Sequence, residues 1–199
     1  MKIVCVGRNY ADHVKEMGNV LPPGAEPLIF LKPPSSLIKS GDAIVLPPQS
    51  QEVHFEGEIG VFIGARLKGV NADMATAGIA GFAPANDVTA RDLQRKDSQW
   101  ARAKGFDTFC PVGTPKSLNG ALEALELVTR VNGKERQRAR SSEMIFPIPE
   151  LLSYISHIMT LEPGDLVLTG TPAGVGRLVS GDEVEVEIVG MGTVRNSVF

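Results

Sequence analysis

Cysteine is scarce. Cys5 and Cys110 are the only two, far apart in the chain and outside any metal-ligand spacing. That excludes a disulfide-stapled scaffold and a zinc ribbon, and leaves two reduced, buried thiols as the expectation. No apolar run approaches the ~18 residues that cross a bilayer, so no membrane partner is expected. Neither sign of charge dominates: 20 Lys+Arg face 23 Asp+Glu, for a formal net charge of −3. The basic footprint of a nucleic-acid binder is missing, so a small anionic ligand would need a metal ion or a local basic cluster. The opening segment, Met1 to Gly7, has neither a long apolar core nor a small-residue cleavage site, the pattern expected of a cytoplasmic protein.

What the sequence has in plenty is punctuation: 21 glycines and 14 prolines among 199 residues. Between them lie short apolar, often β-branched runs at Ile3–Val6, Leu28–Leu31, Ala43–Leu46, Glu58–Ile63, Leu127–Val131, Leu166–Thr169 and Glu183–Val189. Many short strands between turns predict a mainly β, α+β fold with few short helices. Helices are expected at Tyr10–Met17, at Ala90–Lys96 behind a cap at Asp87 or Thr89, and at Ile148–Met159, where Leu151, Leu152, Ile155 and Ile158 form one apolar face. No linker divides the chain, and a single domain over residues 1–199 is expected, with a core large enough to need no staples. Surface scaling gives about 31,000 Å² unfolded and about 9,000 Å² folded. Residues 18–27 form a Pro/Gly-rich loop of the kind that covers a site.

The segment His54-Phe55-Glu56-Gly57-Glu58 carries the most chemistry. On a strand, residues 54, 56 and 58 share a face, with the two carboxylates ~7 Å apart. Like charges so placed repel unless a cation lies between them, although the same alternation also describes the wet face of an ordinary strand. Asp87 adds a third acid at a strand-to-helix junction, followed by Arg91 and Gln94 at helical spacing. It reads as an N-cap or as a ligand backed by a guanidinium and an amide. Three oxygen ligands would suit a hard ion, Mg²⁺ or Mn²⁺.

His13 and Glu16 stand three residues apart, neighbours on a helix. They read as a general base with its orienting acid, or as a surface ion pair. Gly170-Thr171-Pro172-Ala173-Gly174-Val175-Gly176 follows a strand but matches neither a P-loop nor a dinucleotide fingerprint. It is a turn, or a nest in which Thr171 and backbone N–H groups receive a carboxylate. Lys134, Arg136, Arg138 and Arg140 alternate after Asn132-Gly133 as the solvent face of a hairpin. His157 and the single tryptophan, Trp100, read as structural.

Six ordered segments together resemble the fumarylacetoacetate hydrolase family, near its acylpyruvase and oxaloacetate decarboxylase branch. They are Gly-Arg-Asn-Tyr-Ala-Asp-His at 7–13, Phe-Leu-Lys-Pro at 30–33, His-Phe-Glu-Gly-Glu at 54–58, Asn-Asp-Val-Thr-Ala-Arg-Asp at 86–92, Met-Ile-Phe at 144–146 and Leu-Thr-Gly-Thr-Pro-Ala-Gly-Val-Gly at 168–176. The resemblance implies the family's mixed β-roll or β-sandwich and a homodimer. It places a Mg²⁺ or Mn²⁺ triad on Glu56, Glu58 and Asp87, and a catalytic pair on His13 and Glu16. It gives substrate contacts to Arg91, Gln94, Lys104 and Thr171, with Lys104 and the metal stabilising a pyruvate enolate. Ser141 stands where the family commonly has Thr, and the absence of the long hydrolases' SH3-like domain points away from fumarylacetoacetate as substrate. The implied reaction is C–C hydrolysis of an acylpyruvate-type β-diketo acid; oxaloacetate decarboxylation and 2-oxo-acid isomerisation at the same site are the alternatives. Residues 8–24 are expected to act as a mobile lid.

Overall fold

The computed structural model describes residues 1–199. Two runs rich in aliphatic residues, Ile3–Gly7 (β1) and Leu166–Leu168 (β11), are buried along almost their whole length and pair in parallel, Ile3 beside Leu166. Strands covered on both faces are apolar throughout rather than alternating, and these two are inner strands. They lie in a five-stranded sheet with β2 (Leu28–Lys32) on one flank and β5 (Gly57–Ile63) and β6 (Ile79–Asn86) on the other, in the order β2-β1-β11-β5-β6.

A second sheet is antiparallel, with β10 (Lys134–Arg140), β9 (Glu126–Val131), β13 (Glu183–Ile188) and β14 (Gly192–Ser197) in that order. β13 alternates Glu with Val and Ile, and buries Val184, Val186 and Ile188. The β9–β10 turn holds Asn132 at φ 53° and Gly133 at φ 73°, the two left-handed residues of a type I′ hairpin. Lys134, Arg136, Arg138 and Arg140 face solvent, as expected. Gln137 and Ala139, on the opposite face, are buried, and the register shifts by a bulge between Glu135 and Gln137. β12 (Gly176–Arg177), β4 (Val53–Phe55) and β7 (Thr89–Ala90) form a small third sheet, and β3 (Leu37–Ile38) pairs with β8 (Cys110–Pro111).

Five short helices fill in: α1 (Ala11–Glu16), α2 (Ala72–Ala77), α3 (Arg91–Lys96), α4 (Ala101–Lys104) and α5 (Ile148–Ile158). None is long and apolar enough to cross a membrane. α5 starts after Pro147 and buries Leu151, Leu152 and Ile155 completely. These join Val4, Val6 and Val61 of the first sheet to Leu127 and Val186 of the second in the largest apolar cluster. The folded chain exposes 9013 Å², in line with its size. The fold is thus mostly strands with few short helices, as read from the sequence. Cys5 and Cys110 are free and buried in one small apolar cluster. Burial pushes the Cys110 thiol up to about 12.

Three local readings need correction. Residues 54–58 are not one strand: β4 ends at Phe55, β5 begins at Gly57, and Glu56 is the crossing point between two sheets. Its N–H donates to Asn86 Oδ1 at 2.9 Å and its carbonyl accepts from Asp87 N–H at 2.8 Å, which fixes the crossing. Asp87 is not a helix cap, because β7 intervenes and α3 begins after Ala90 without a side-chain cap. Ala43–Leu46 is not a strand; Ile44 makes an isolated parallel bridge to Val198 before Pro47 and Pro48.

Gly57 has no room for a side chain. A Cβ there would stand 1.9 Å from Thr129 Oγ1 and 3.0 Å from Gln137 Oε1. Gly57→Ala is expected to overpack this junction by about 1–3 kcal/mol, lowering the unfolding midpoint by ~2–4 °C for each kcal/mol in a chain of this size. A melting curve unchanged from wild type would refute the tight junction.

Candidate active site

The site gathers at one end of the first sheet. β1 runs parallel to β11 and both oppose β5, which opposes β6. The ends of β1, β11 and β6 and the start of β5 therefore meet. Glu58 comes from β5, Glu56 from the crossing before it, Asp87 from the residue after β6, and Thr171 from the loop after β11. These regular elements put one ligand oxygen from each of Glu56, Glu58 and Asp87 within 4.8 Å of one another, closer than a single strand would have set the glutamates. All three acids are buried. His54 lies apart, with its Nε2 3.2 Å from Glu52.

Three buried carboxylates are a large electrostatic cost unless compensated. Three buried cations stand against them: Lys32, Arg91 and Lys104. Lys32 Nζ donates to Asp87 Oδ1 at 2.7 Å and to the Val88 carbonyl at 3.1 Å. Lys104 Nζ bridges Glu56 Oε2, at 2.6 Å, and Asp87 Oδ2. Arg91 donates to Glu56 Oε1 and, at 2.5 Å, to Gln94 Oε1. Burial raises the Glu56 carboxyl, but Lys104 and Arg91 outweigh it and hold the group below the usual carboxylate range. Burial lowers the Lys104 ammonium, yet Asp87 and Glu56 reverse this and raise it.

Glu58 is the exception. No cation touches it, and its only hydrogen bond comes from Gly170 N–H at 2.7 Å. Burial first, then the charges of Asp87 and Glu56, push its carboxyl well above the ordinary range. A carboxylate without a counter-ion beside two others is what a divalent cation would satisfy. An all-oxygen donor set suits a hard ion such as Mg²⁺ or Mn²⁺. The residues therefore fit the ion that the sequence suggested.

The acids floor a cavity of about 270 Å³. His13, Arg91, Gln94, Lys104 and Thr171 line it with them. Glu16 lies behind His13, with Oε2 3.0 Å from the imidazole Nδ1, and its Oε1 accepts from Gly174 N–H at 3.0 Å. Eight of the nine residues singled out in the sequence thus line one cavity, and the ninth holds one of the eight.

Other contributors had gone unassigned. Lys32 sits in the Phe-Leu-Lys-Pro segment as the last residue of β2, and its signal is a lysine that closes an apolar run before proline. Phe30, of the same segment, lies 5.0 Å beneath Lys104 Nζ and meets Trp100 edge-on at 5.3 Å. Trp100 both packs and walls the cavity, as do Arg8, Met17 and Asn19. Asn9 is fully buried and locks the root of this wall. Its Nδ2 donates to the Thr169 carbonyl at 2.8 Å and its Oδ1 accepts from Phe146 N–H at 2.8 Å. Gly170, at φ +98°, has no room for a Cβ, which would fall 2.7 Å from Asn9 Cβ. His157 is exposed, its Nδ1 2.9 Å from the Ser153 carbonyl of its own helix.

Known proteins resemble this chain in sequence and fold. A mitochondrial oxaloacetate tautomerase of Arabidopsis thaliana is 44% identical over 200 residues, spanning 98% of this chain and 89% of its own. The crystal structure of 5-carboxymethyl-2-hydroxymuconate delta-isomerase from Mycobacterium smegmatis superposes with a TM-score of 0.90 at 47% identity, covering 99% of this chain and 78% of that one. Fumarylpyruvate hydrolase from Pseudomonas aeruginosa, in complex with Mn²⁺ and pyruvate, gives a TM-score of 0.92 at 34% identity, covering 100% of this chain and 89% of that one. Residues 2–199 match the fumarylacetoacetate hydrolase C-terminal family, and the chain belongs to that family.

Proposed function

We propose that this chain is a divalent-metal-dependent enzyme acting on small 2-oxo acids through their enol form, and that hydrolytic C–C cleavage of an acylpyruvate is the reaction its geometry fits best. The observation that carries this reading is the His13–Glu16 pair on the cavity wall facing the buried carboxylates. Glu56, Glu58 and Asp87 would hold Mg²⁺ or Mn²⁺. When bound, such an ion supplies Lewis-acid polarisation of a 2-oxo group.

The protein's own residues divide the remaining work. Arg91, whose buried Nε has no partner, Gln94 and the Thr171 hydroxyl receive the substrate carboxylate. Glu16 fixes His13 through Nδ1 and leaves Nε2 as the nitrogen that takes a proton. In hydrolysis that proton comes from water, whose oxygen bonds to the distal carbonyl carbon. The C–C bond then breaks, and its electron pair passes to the pyruvate half, which is protonated at C3. Lys104 steadies the negative charge that develops there.

Keto–enol tautomerisation of oxaloacetate is the second reading, favoured by the 44% identity to a tautomerase over nearly the whole chain. In it His13 would move a proton at C3 with no water attack. Decarboxylation of oxaloacetate needs no activated water either. A small-molecule 2-oxo acid is the partner in every case, and pyruvate in the fumarylpyruvate hydrolase structure supports that class.

The assay that decides runs acylpyruvates and oxaloacetate on wild type and His13→Ala, following diketo-acid loss, enol absorbance and pyruvate. His13→Ala is expected to slow acylpyruvate hydrolysis by about 10²–10⁴ and to spare decarboxylation. Wild type that tautomerises oxaloacetate but leaves every acylpyruvate intact would replace the first reading with the second.

The metal assignment has its own test. In EDTA-stripped protein, Mg²⁺ or Mn²⁺ at 100 times its dissociation constant should add about 2.7 kcal/mol of stability. Glu58→Gln should abolish that gain. Without metal this variant should melt no lower than wild type, because an amide at 58 matches the neutral carboxyl that burial and the neighbouring acids favour there and can still accept from Gly170 N–H. Full activity after exhaustive EDTA treatment would refute metal dependence.

Residues 8–24 are proposed as the lid. The segment is anchored at Asn9, and its tip touches the rest of the site through Glu16 and Gly174. Amide exchange across it should slow when oxalate and Mg²⁺ are added, and exchange equally slow in both states would argue for a fixed wall.

A further inference from the structure

Gln137 is the one uncharged polar side chain in Lys-Glu-Arg-Gln-Arg-Ala-Arg, and it is 1% exposed. It belongs to the second sheet, yet all its hydrogen bonds go to the site. Oε1 accepts from Gly57 N–H at 3.0 Å, between the two glutamates of the triad. Nε2 donates to Thr171 Oγ1 and to the Pro172 carbonyl, both at 2.8 Å.

The orientation of this amide follows from its partners. A backbone N–H only donates, so Oε1 must face Gly57; a backbone carbonyl only accepts, so Nε2 must face Pro172. Thr171 Oγ1, lying on the Nε2 side, therefore accepts. A hydroxyl has a single hydrogen and two lone pairs. With one lone pair taken by Gln137, the hydrogen of Thr171 stays free to be donated elsewhere. Thr171 lines the cavity, so that hydrogen is available to a molecule bound there.

We infer that Gln137 is a positioning residue that fixes the polarity of Thr171, so that the hydroxyl serves as a dedicated donor to the carboxylate of the bound acid. The inference rests on the reading above, in which Thr171 holds a substrate carboxylate. Its novelty is the setting of that hydroxyl from the opposite sheet. Gln137→Glu reverses the polarity. A carboxylate only accepts, so the Thr171 hydrogen would turn to residue 137 and be withdrawn from the ligand. Gln137→Met removes the partner without capturing the hydrogen and should weaken binding less.

The test measures oxalate affinity in the presence of Mg²⁺ by calorimetry, together with KM and kcat on the best 2-oxo acid. The proteins are wild type, Gln137→Glu, Gln137→Met, Thr171→Val and the two double variants. Thr171→Val should weaken oxalate about tenfold, the loss of one hydrogen bond to a charged group. Gln137→Glu should match it, chiefly in KM, and Gln137→Met should cost less. In the Thr171→Val background, either change at 137 should cost no more than about twofold, because its target is gone. Equal losses from 137 in both backgrounds would show a role in packing alone and overturn the inference, while the tenfold effect of Thr171→Val would leave the 2-oxo-acid reading standing. If Gln137→Glu does not fold, the Gln137→Met cycle carries the same comparison. Failure of wild type to bind oxalate at all would remove both.

Discussion

The placement of three carboxylates in one buried pocket is the constraint on which the rest of this structure depends. Alone they could not stay ionised there. Two are compensated by ammonium and guanidinium groups that arrive from separate parts of the chain: Lys32 from β2, Arg91 from the start of α3 and Lys104 from the end of α4. The short helices α3 and α4 thus have an electrostatic function as well as a packing one. Glu58 lacks such compensation, and that asymmetry is what would favour a cation at the cluster. A fully neutralised set of acids would have little reason to recruit one.

Much of this was legible in the sequence because the relevant residues are clustered by motif. His13 with Glu16 needs only one helical turn, and Glu56 with Glu58 only two residues of chain. What was not legible is what depends on three-dimensional closure. The break at Glu56 hides in an alternating segment that reads as one strand, because the sheet change is made by hydrogen bonds to Asn86 and Asp87, remote in sequence. β6 carries Gly81 and Pro84, and beyond a strand end before Asp87 its extent is not marked by an apolar run. Its pairing with β5, not its own propensity, holds it extended. Lys32 follows the apolar run Leu28–Leu31, and Gln137 lies between the alternating cations of Lys134–Arg140. Their burial is decided by sheets that local patterning does not report.

The two halves of the proposed machinery differ in how they are held. The acids ride on the ends of paired strands and on the crossing between sheets, where backbone hydrogen bonds fix them. The base rides on α1, a helix of six residues reached through Arg8, whose φ of 61° is left-handed. A helix that short has little stability of its own. It keeps its place through Asn9 at its root and through Glu16, whose two oxygens bond Gly174 N–H and His13 Nδ1. Glu16 thus orients His13 within the helix through one oxygen and ties the helix to the loop after β11 through the other.

The loop from Thr169 to Gly174 is where these demands meet. Its Gly170 N–H steadies the uncompensated glutamate, its Thr171 lines the cavity, its Gly174 N–H donates to Glu16 of α1, and Asn9 and Gln137 brace it from two sides. Each of these contacts is modest alone, about 1 kcal/mol for a neutral hydrogen bond and about 1.5–3 kcal/mol for one to a charged group. Their value lies in being shared. A shift of the loop that lengthened the bond to Glu58 would also disturb Thr171 and Glu16, so the acid cluster, the Thr171 hydroxyl and the proposed base are tied to one backbone conformation. That explains why a short glycine-rich turn, weak as a motif, carries so much of the site. With bulkier residues at 170 or 174 the backbone could not reach these partners. A Cβ at Gly174, where φ is +100°, would lie 2.1 Å from the Arg136 carbonyl oxygen, next to the residue that braces Thr171.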